Sequence, residues 1–236
     1  CAEISLGGKK DVDRAVSAAK KAFETWAFSK KEERLDLLEK LYVVYKKRWA
    51  EMAKLISLEM GAPMKFSTEM QAATGASHIK SFKNILKDFK FEKDLGEEKN
   101  NQKLLYEPKG VCALITPWNW PINQVNLKVM PALASACTVV LKPSEVAPLS
   151  SMLLAEMIDE AKFPDGVFNL VNGDGAVTGD ALTSHPDIDM ISFTGSTRAG
   201  ALISQNAAKD FKRISLELGG KGANIIFKDA DSEAVA

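Results

Sequence analysis

The sequence predicts an α/β fold in which a parallel sheet is covered by helices on both faces and is preceded by a helical region. Two observations support this prediction. The first part of the chain carries apolar residues at the three- and four-residue spacing of amphipathic helices. From about residue 110 onward, short apolar segments typical of buried strands alternate with helical segments. We therefore divide the chain into a helical part, residues 1–103, and a sheet part, residues 104–236.

Three helices are predicted in the helical part, over residues 11–26, 31–60 and 67–89. Asp11 stands where a residue that caps the first helix is expected, and Gly61-Ala62-Pro63 ends the second. Residues 90–103 are polar and carry no helical stripe. Residues 103–108 then predict a short extended segment at the boundary between the two parts.

The sheet part is predicted to contain strands and helices in alternation. The predicted strands cover residues 111–115, 138–141, 167–171, 190–193 and 214–216. The predicted helices cover residues 126–136, 150–161, 176–184 and 197–208. Ligands of such folds bind at the carboxyl ends of the strands. We therefore look for functional residues directly after each predicted strand.

Composition limits the classes of partner. Lys plus Arg equals Asp plus Glu at 31 each, so no net charge attracts nucleic acid or an acidic membrane surface. No apolar run approaches the roughly 20 residues that span a bilayer, and no signal peptide is recognisable. The 3 cysteines and 2 histidines are widely spaced, which argues against a disulfide framework and a metal site. These features predict a cytoplasmic protein that acts on a small molecule.

The segment Phe193-Thr194-Gly195-Ser196 links a predicted strand to a predicted helix. Free backbone amides and the positive end of the helix dipole favour a phosphate at such a turn, and the Ser196 hydroxyl can also donate a hydrogen bond. The alternative is that Thr194 and Ser196 only cap the helix. Gly173-Asp174-Gly175, near another strand end, does not match the G-x-G-x-x-G fingerprint of dinucleotide-binding turns.

A second motif, Leu141-Lys142-Pro143-Ser144-Glu145, follows the predicted strand 138–141. A lysine and a carboxylate in one turn can bracket a diol by hydrogen bonding. The alternative is a solvated ion pair in a surface turn.

Two further motifs contain candidate catalytic residues. Asn119 lies between two tryptophans and two prolines, where its amide can donate a hydrogen bond in a largely apolar pocket. The alternative is simple loop packing. Glu217 follows a predicted strand and precedes Leu218-Gly219-Gly220, where a carboxylate has the freedom to act as a general base.

These four motifs occur in the order that is typical of NAD(P)-dependent aldehyde dehydrogenases, and residues 6–236 resemble the amino-terminal half of that family. The resemblance implies a Rossmann-like domain that binds its dinucleotide without the usual glycine fingerprint. It also implies that Lys142 and Glu145 meet the adenosine ribose. Because a carboxylate at Glu145 would repel a 2′-phosphate, the motif favours NAD over NADP.

The resemblance also assigns a role to each candidate residue. Asn119 corresponds to the side-chain donor of the oxyanion hole, Glu217 to the base that activates water, and Lys128 to a lysine that helps to relay the proton in some members. The residues that the resemblance places at the cofactor are Ile115, Thr116, Pro117, Trp118, Lys142, Ser144, Glu145, Gly175, Phe193, Thr194, Gly195, Ser196 and Leu218.

The nucleophilic cysteine of the family lies a few tens of residues beyond the glutamate, so we expect it to be missing from these 236 residues. Cys112 lies in an apolar strand and Cys137 at a helix-to-strand turn, where both thiols are expected to be packed and unreactive. Ala136 stands where the family usually has a glycine that ends a helix. If this backbone is left-handed, alanine costs on the order of 1 kcal/mol relative to glycine.

The leading hypothesis is therefore a partial aldehyde dehydrogenase, inactive alone, whose catalytic domain is absent and whose complete form converts an aldehyde to a carboxylic acid. One alternative is a non-catalytic NAD-binding or assembly module that ends naturally near residue 236. Another is an acylating dehydrogenase that passes the acyl group to coenzyme A, which is disfavoured because those members generally lack the Glu217-type base. Family members are homodimers or homotetramers, and residues 103–108 resemble part of their inter-subunit strand region.

Overall fold

Helices form most of the amino-terminal part of the structure, a computed structural model that describes residues 2–96, 102–231 and 233. These helices are α1 (Lys9–Trp26), α2 (Lys31–Lys47), α3 (Trp49–Met60), α4 (Met64–Phe66) and α5 (Ala72–Asp88). A turn of π-helix, Ser67–Gln71, joins α4 to α5. None of the helices in the described residues is long and apolar enough to cross a membrane.

Two helix boundaries differ from the sequence-based prediction. The predicted helix 31–60 is interrupted at Arg48, whose backbone (φ −100°, ψ 17°) leaves the helical region and separates α2 from α3. The Arg48 side chain donates hydrogen bonds to Glu51 and Glu156, both at 2.7 Å. Asp11 is not the N-cap of α1, because the helix begins at Lys9. Its carboxylate instead accepts a hydrogen bond from the backbone amide of Gly8 at 3.0 Å.

A short antiparallel hairpin connects the helices to the sheet. It consists of β1 (Glu92–Asp94) and β2 (Lys103–Leu105), with Lys93 opposite Leu104. Of the extended segment predicted at residues 103–108, residues 103–105 form β2, and β1 lies in the polar segment 90–103, where the sequence carries no helical stripe. The predicted boundary between residues 103 and 104 falls inside β2.

The second part of the chain forms a parallel sheet of 5 strands in the order β5-β4-β3-β6-β7. Its strands are β3 (Val111–Ile115), β4 (Thr138–Lys142), β5 (Phe168–Leu170), β6 (Met190–Thr194) and β7 (Arg213–Glu217). Strands β3, β4 and β5 follow one another toward one edge of the sheet. The chain then returns to the other side of β3, where β6 pairs with it, and β7 forms the opposite edge. The boundary between β3 and β6 is therefore a topological switch point, where folds of this kind bind ligands. The predicted α/β class is confirmed.

Helices connect these strands. They are α6 (Pro121–Ala134), α7 (Leu149–Glu160), α8 (Asp180–Ser184) and α9 (Thr197–Ala208). The predicted helix 126–136 begins earlier than expected, because Pro121 suits the first position of a helix, where its missing N–H is not needed. The predicted helix 176–184 begins with a turn of π-helix, Gly175–Gly179.

Alternate residues of the central strand, β3, belong to two different apolar cores. Cys112 and Leu114 pack with α2, α3, α5, α6 and α7 on one face of the sheet. Val111, Ala113 and Ile115 pack with α1, α8 and α9 on the other. Because successive side chains of a strand point to opposite faces, a fully buried five-residue strand requires helices on both sides. We call these two sides the α6 face and the α9 face.

Candidate functional site

The sheet register aligns the carboxyl ends of four strands. Ile115 pairs with Lys142 of β4 and with Phe193 of β6, and Thr194 pairs with Glu217 of β7. Residues that sequence analysis selected from separate motifs therefore lie along one edge of the sheet. Strands of unequal length or shifted register would have scattered them.

A cavity of about 310 Å³ lies on the α9 face of this edge. Four of the predicted cofactor residues line it: Ile115, Lys142, Gly175 and Phe193. Three belong to strand ends, and Gly175 begins the π-helical turn before α8. Residues from separate sequence motifs therefore line one cavity, although Asn119, Lys128 and Glu217 are not among them.

Helices α8 and α9 supply the remaining wall of the cavity, which was not predicted from the sequence motifs. Asn206 of α9 donates hydrogen bonds to Asp180 at 2.8 Å and to Thr183 at 3.1 Å, and all three residues line the cavity. Leu202 also contributes an apolar side chain. No motif signals these residues, because their position depends on how the two helices pack.

Lys142 is the last residue of β4 and is buried. Its ammonium group donates hydrogen bonds to the backbone oxygens of Pro143 at 2.9 Å and Gly173 at 2.6 Å, and lies 3.5 Å from the Glu145 carboxylate. Burial lowers the pKa of Lys142, and the neighbouring Glu145 opposes this effect. Lys142 thus joins the ends of β4 and β5, while Glu145 is exposed and Ser144 half-buried beside it.

The turn from β6 to α9 is shaped by two close contacts. A Cβ atom on Gly195 would lie 2.4 Å from the Phe193 ring, so a larger residue there would require the ring to move. Ser196 is the N-cap of α9, and its hydroxyl oxygen accepts a hydrogen bond from the amide of Ala199 at 3.2 Å. The capping interpretation of Ser196 is therefore correct. Its hydroxyl hydrogen is still available to a ligand, because a serine side chain can accept and donate at once.

The loop after β3 begins in the core and ends in solvent. Thr116 is buried, and its amide donates a hydrogen bond to the backbone oxygen of Lys142 at 3.2 Å. Pro117 is half-buried, whereas Trp118 and Asn119 are exposed. Trp120 stacks edge-on against Phe66, with ring centroids 5.6 Å apart, immediately before α6 begins. Asn119 is thus an exposed residue in the short loop between a buried strand end and the Trp120–Phe66 aromatic pair.

Lys128 and Glu217 lie on the α6 face of the same edge. The Lys128 ammonium group donates a hydrogen bond to the Ser192 hydroxyl at 3.0 Å. Burial lowers the pKa of Lys128, and the negative charge of Glu217 opposes this effect. Glu217 is exposed at the end of β7, and Ser192 and Thr194 occupy the same face of β6 by strand alternation. Lys128 and Glu217, which can act as an acid and a base, therefore lie on the opposite face of the sheet from the cavity.

The two buried cysteines lie elsewhere. Cys137 immediately precedes β4, and Cys112 is the second residue of β3, so both belong to the amino end of the sheet. A five-residue strand is about 17 Å long. Neither thiol is therefore near Asn119 or Glu217. Within the described residues, no cluster of histidine, cysteine and acidic side chains is suited to a metal ion.

Comparison with known proteins identifies the family. The sequence profile described as "Aldehyde dehydrogenase family" matches residues 1–236. The chain belongs to the aldehyde dehydrogenase family. The resemblance found in the sequence motifs is confirmed.

Individual aldehyde dehydrogenases match the whole chain. It is 52% identical to 3-succinoylsemialdehyde-pyridine dehydrogenase of a Pseudomonas species over 231 residues, 98% of this chain and 48% of that protein. The crystal structure of an aldehyde dehydrogenase from Bartonella henselae superposes with a TM-score of 0.96 at 59% identity, covering 100% of this chain and 49% of that chain. The chain spans about half the length of the curated relatives it matches.

A further aldehyde dehydrogenase structure contains ligands. A mutant of aldehyde dehydrogenase C from Pseudomonas syringae, in complex with NAD+ and octanal, superposes with a TM-score of 0.94 at 48% identity. The superposition covers 98% of this chain and 47% of that chain.

Proposed function

We propose that this chain binds NAD and supplies the cofactor site and the acid–base residues of an enzyme that oxidises an aldehyde to a carboxylic acid. The observation that carries the proposal is the alignment of Ile115, Lys142 and Phe193 around one cavity at the topological switch point. Membership of the family and the NAD+ complex of the Pseudomonas syringae relative support it.

The residues at the edge fit a dinucleotide. The cavity offers apolar walls of the kind that receive a planar base, and α9 presents free backbone amides at its amino terminus. The hydroxyl oxygens of Thr116 and Thr194 are buried and have no hydrogen-bond partner among the described residues. Such atoms are costly unless a ligand or water satisfies them. Lys142 and Glu145 would hold the adenosine ribose, with Ser144 beside them.

The remaining cofactor contacts would come from the loop and turn residues. We assign Pro117 and Trp118 to the nicotinamide side of the edge, together with Leu218. Gly175, Gly195 and Ser196 would lie along the phosphates. When bound, NAD supplies the chemistry of hydride acceptance.

The chemistry of the chain's own residues follows from their positions. The Asn119 amide would donate a hydrogen bond to the aldehyde oxygen as negative charge develops on it. The Glu217 carboxylate would remove a proton from the water that releases the acid. Lys128, whose pKa burial lowers, would exchange that proton with Glu217 across the α6 face.

The nucleophilic thiol would be supplied by residues outside this chain, because Cys112 and Cys137 lie at the opposite edge of the sheet. The chain alone would then bind NAD without oxidising an aldehyde. We also propose that the complete protein is a cytoplasmic homodimer or homotetramer. The exposed hairpin residues Leu104, Leu105 and Tyr106 support this assembly, since they offer apolar surface to a second subunit.

A titration of this chain with NAD, followed by calorimetry, tests the cofactor assignment. Ala199→Phe should abolish binding, because Ala199 lines the cavity and a phenyl ring would fill it. Ala201→Phe is the matched control, since Ala201 is exposed on the same helix. Wild-type protein that does not bind NAD, or two variants that bind it equally well, would overturn the assignment.

A further inference from the structure

A second cavity lies at the amino edge of the sheet, opposite the edge that carries the proposed cofactor site. Its volume is about 530 Å³, which is within the range of small-molecule sites. Its wall includes Ser135 and Ala136, which precede β4, and Pro108, which precedes β3. Because a five-residue strand is about 17 Å long, this cavity is well separated from the cofactor cavity.

The guanidinium of Arg34, on α2, is buried in the wall of this cavity. Arg34 is 5% exposed. Its Nε donates a hydrogen bond to the backbone oxygen of Ala134 at 3.0 Å, and its Nη1 donates to the backbone oxygen and the hydroxyl of Ser29, the latter at 3.0 Å. Nη2 has no hydrogen-bond partner among the described residues. Because a guanidinium has five N–H donors in a fixed fork, two donors on Nη2 remain for a ligand.

A second cation, Lys31, lines the same cavity. Its ammonium group donates hydrogen bonds to the backbone oxygens of Lys87 at 2.9 Å and Phe89 at 3.4 Å. An ammonium group has three N–H donors, so one more remains. Among the described residues that line the cavity, only Glu107 is acidic, and it is exposed, so water and salt screen its charge. The cavity wall therefore has an excess of positive charge.

The charge of Arg34 is not neutralised within the described part of the chain. No acidic side chain there forms an ion pair with it. Burial lowers the pKa of Arg34, and Glu33 and Glu32 oppose this effect from exposed positions. An arginine side chain stays protonated in proteins, so loss of a proton does not relieve the cost of burial. An anion in the cavity would supply the missing opposite charge.

Aromatic side chains form much of the remaining wall. The Phe91 ring lies against the guanidinium, with Arg34 Cζ 5.1 Å from its centroid. Phe91 and Tyr106 both pack edge-on against Phe89, with ring centroids 4.8 and 5.2 Å apart, which fixes their positions. Phe23 of α1 also lines the cavity. Such rings favour a ligand that is itself aromatic, through stacking and edge-to-face contacts.

We propose that this cavity binds an aromatic monocarboxylate. The carboxylate accepts hydrogen bonds from Nη2 of Arg34 and from the ammonium group of Lys31, and the aromatic ring lies against Phe91 and Tyr106. A phosphate is less suited, because it carries up to two charges and three strong acceptor oxygens, which the three remaining donors and the aromatic walls satisfy poorly. The site does not depend on the cofactor, so both ligands bind at once.

Calorimetric titration of this chain with phenylacetate tests the proposal. A dissociation constant below about 1 mM is expected for a ligand of this size that pairs with two cations. Phenylacetamide keeps the ring and the shape without the charge, and should bind at least about tenfold more weakly. Saturating NAD should leave the affinity for phenylacetate unchanged. A chain that does not bind NAD would sink the proposed function and leave this site standing.

Lys31→Met and Lys30→Met form a matched pair of variants. Both remove one positive charge, from adjacent residues, but Lys30 is exposed and does not line the cavity. Lys31→Met should weaken phenylacetate binding about tenfold, because a hydrogen bond to a charged group is lost. Lys30→Met should change the affinity by less than about twofold, since surface charges contribute little.

Arg34→Lys tests the guanidinium itself. The variant keeps the positive charge but not the planar fork, so phenylacetate should bind at least about tenfold more weakly to the folded protein. Because Arg34 also holds the backbone of Ala134, urea unfolding first establishes that the variant is folded. If it is not, the Lys31 and Lys30 pair decides the question. Absence of binding by about 10 mM phenylacetate, equal binding of phenylacetamide, displacement by NAD, or equal affinity of the two lysine variants would each overturn the proposal.

Discussion

The ammonium group of Lys128 on α6 donates a hydrogen bond to the hydroxyl of Ser192 on β6 at 3.0 Å, within the α6 face of the carboxyl edge. Lys128 is 9% exposed and experiences the charge of Glu217. A buried lysine in this position is costly in its charged form, and burial accordingly lowers its pKa. The pair therefore links the helix that follows Asn119 to the strands that carry the proposed base.

Lys128→Met should change the pH dependence of stability. Because the pKa of Lys128 is lowered in the folded protein, the unfolded chain binds more protons between that value and about 10.4. Wild-type stability therefore gains as pH rises through this window, and the variant lacks this gain. Urea unfolding from pH 7 to pH 10 should show that the free energy of unfolding of wild type, measured relative to that of Lys128→Met, increases with pH. Lys54→Met, at an exposed position, controls for charge loss, and parallel curves for wild type and Lys128→Met would contradict the assignment.

Glu145→Gln should reduce the preference for NAD over NADP. The exposed Glu145 carboxylate lies beside Lys142 at the proposed ribose site, where its charge would repel a 2′-phosphate. Glutamine keeps the hydrogen-bonding shape without the charge. Calorimetric titration should show a smaller ratio of the two dissociation constants, mainly through tighter NADP binding. Glu160→Gln, exposed at the end of α7, should leave the ratio unchanged, and a preference that survives Glu145→Gln would exclude this explanation.

Glu217→Gln, introduced into the complete enzyme, should slow release of the carboxylic acid by about 10²-fold or more, because removal of a general base typically costs 10²–10⁴-fold. Rapid mixing of enzyme, aldehyde and NAD should still give a burst of NADH, since the base acts after hydride transfer. A variant with normal acid release would favour the alternative in which the acyl group passes to coenzyme A.

The sequence predicted the parallel sheet and the strand ends that meet at its carboxyl edge, for a physical reason. A strand such as Val111–Ile115, buried on both faces, needs five consecutive apolar or small residues, and this pattern is visible without a structure. Parallel strands also bring their carboxyl ends together, so motifs after each strand converge on one edge. The convergence of Lys142 and Phe193 on one cavity could thus be expected in outline.

The missed features depend on contacts that no local pattern encodes. The apolar stripe continues past Arg48, so the pattern does not reveal the break between α2 and α3, where the Arg48 side chain contacts Glu156 of α7. Strand β1 is exposed throughout and is defined by its pairing with β2. The Asn206–Asp180 contact in the cavity wall likewise requires the packing of two helices.

Glu59→Ala should destabilise the protein through α7. The Glu59 carboxylate of α3 accepts hydrogen bonds from the backbone amides of Leu149 at 2.5 Å and Ser150 at 3.3 Å, so it caps the first turn of α7 from another helix. Burial raises the pKa of Glu59, and these amides oppose that effect. Leaving the amides without an acceptor costs about 1–3 kcal/mol. Urea unfolding should detect this loss, whereas Glu69→Ala, at an exposed position, should change stability by less than about 0.5 kcal/mol.

Ala136→Gly and Ala134→Gly should have opposite effects on stability, although both remove one methyl group two residues apart. Ala136 has a left-handed backbone (φ 62°), and its neighbours close the end of α6, with the amide of Cys137 donating to the backbone oxygen of Ala132 at 2.9 Å. Left-handed conformation costs alanine about 1–2 kcal/mol, which glycine avoids.

The buried methyl of Ala136 offsets part of that gain, because burial of one such group contributes about 0.8 kcal/mol. Ala136→Gly should therefore be neutral or stabilising by up to about 1 kcal/mol. Ala134 is the last residue of α6 and also buried, so its replacement by glycine loses the methyl and about 1 kcal/mol of helix propensity together. The free energy of unfolding, measured with urea, should be about 2 kcal/mol larger for Ala136→Gly than for Ala134→Gly. Equal destabilisation by both would show that Ala136 bears no backbone strain, and that the helix end tolerates a side chain there without cost.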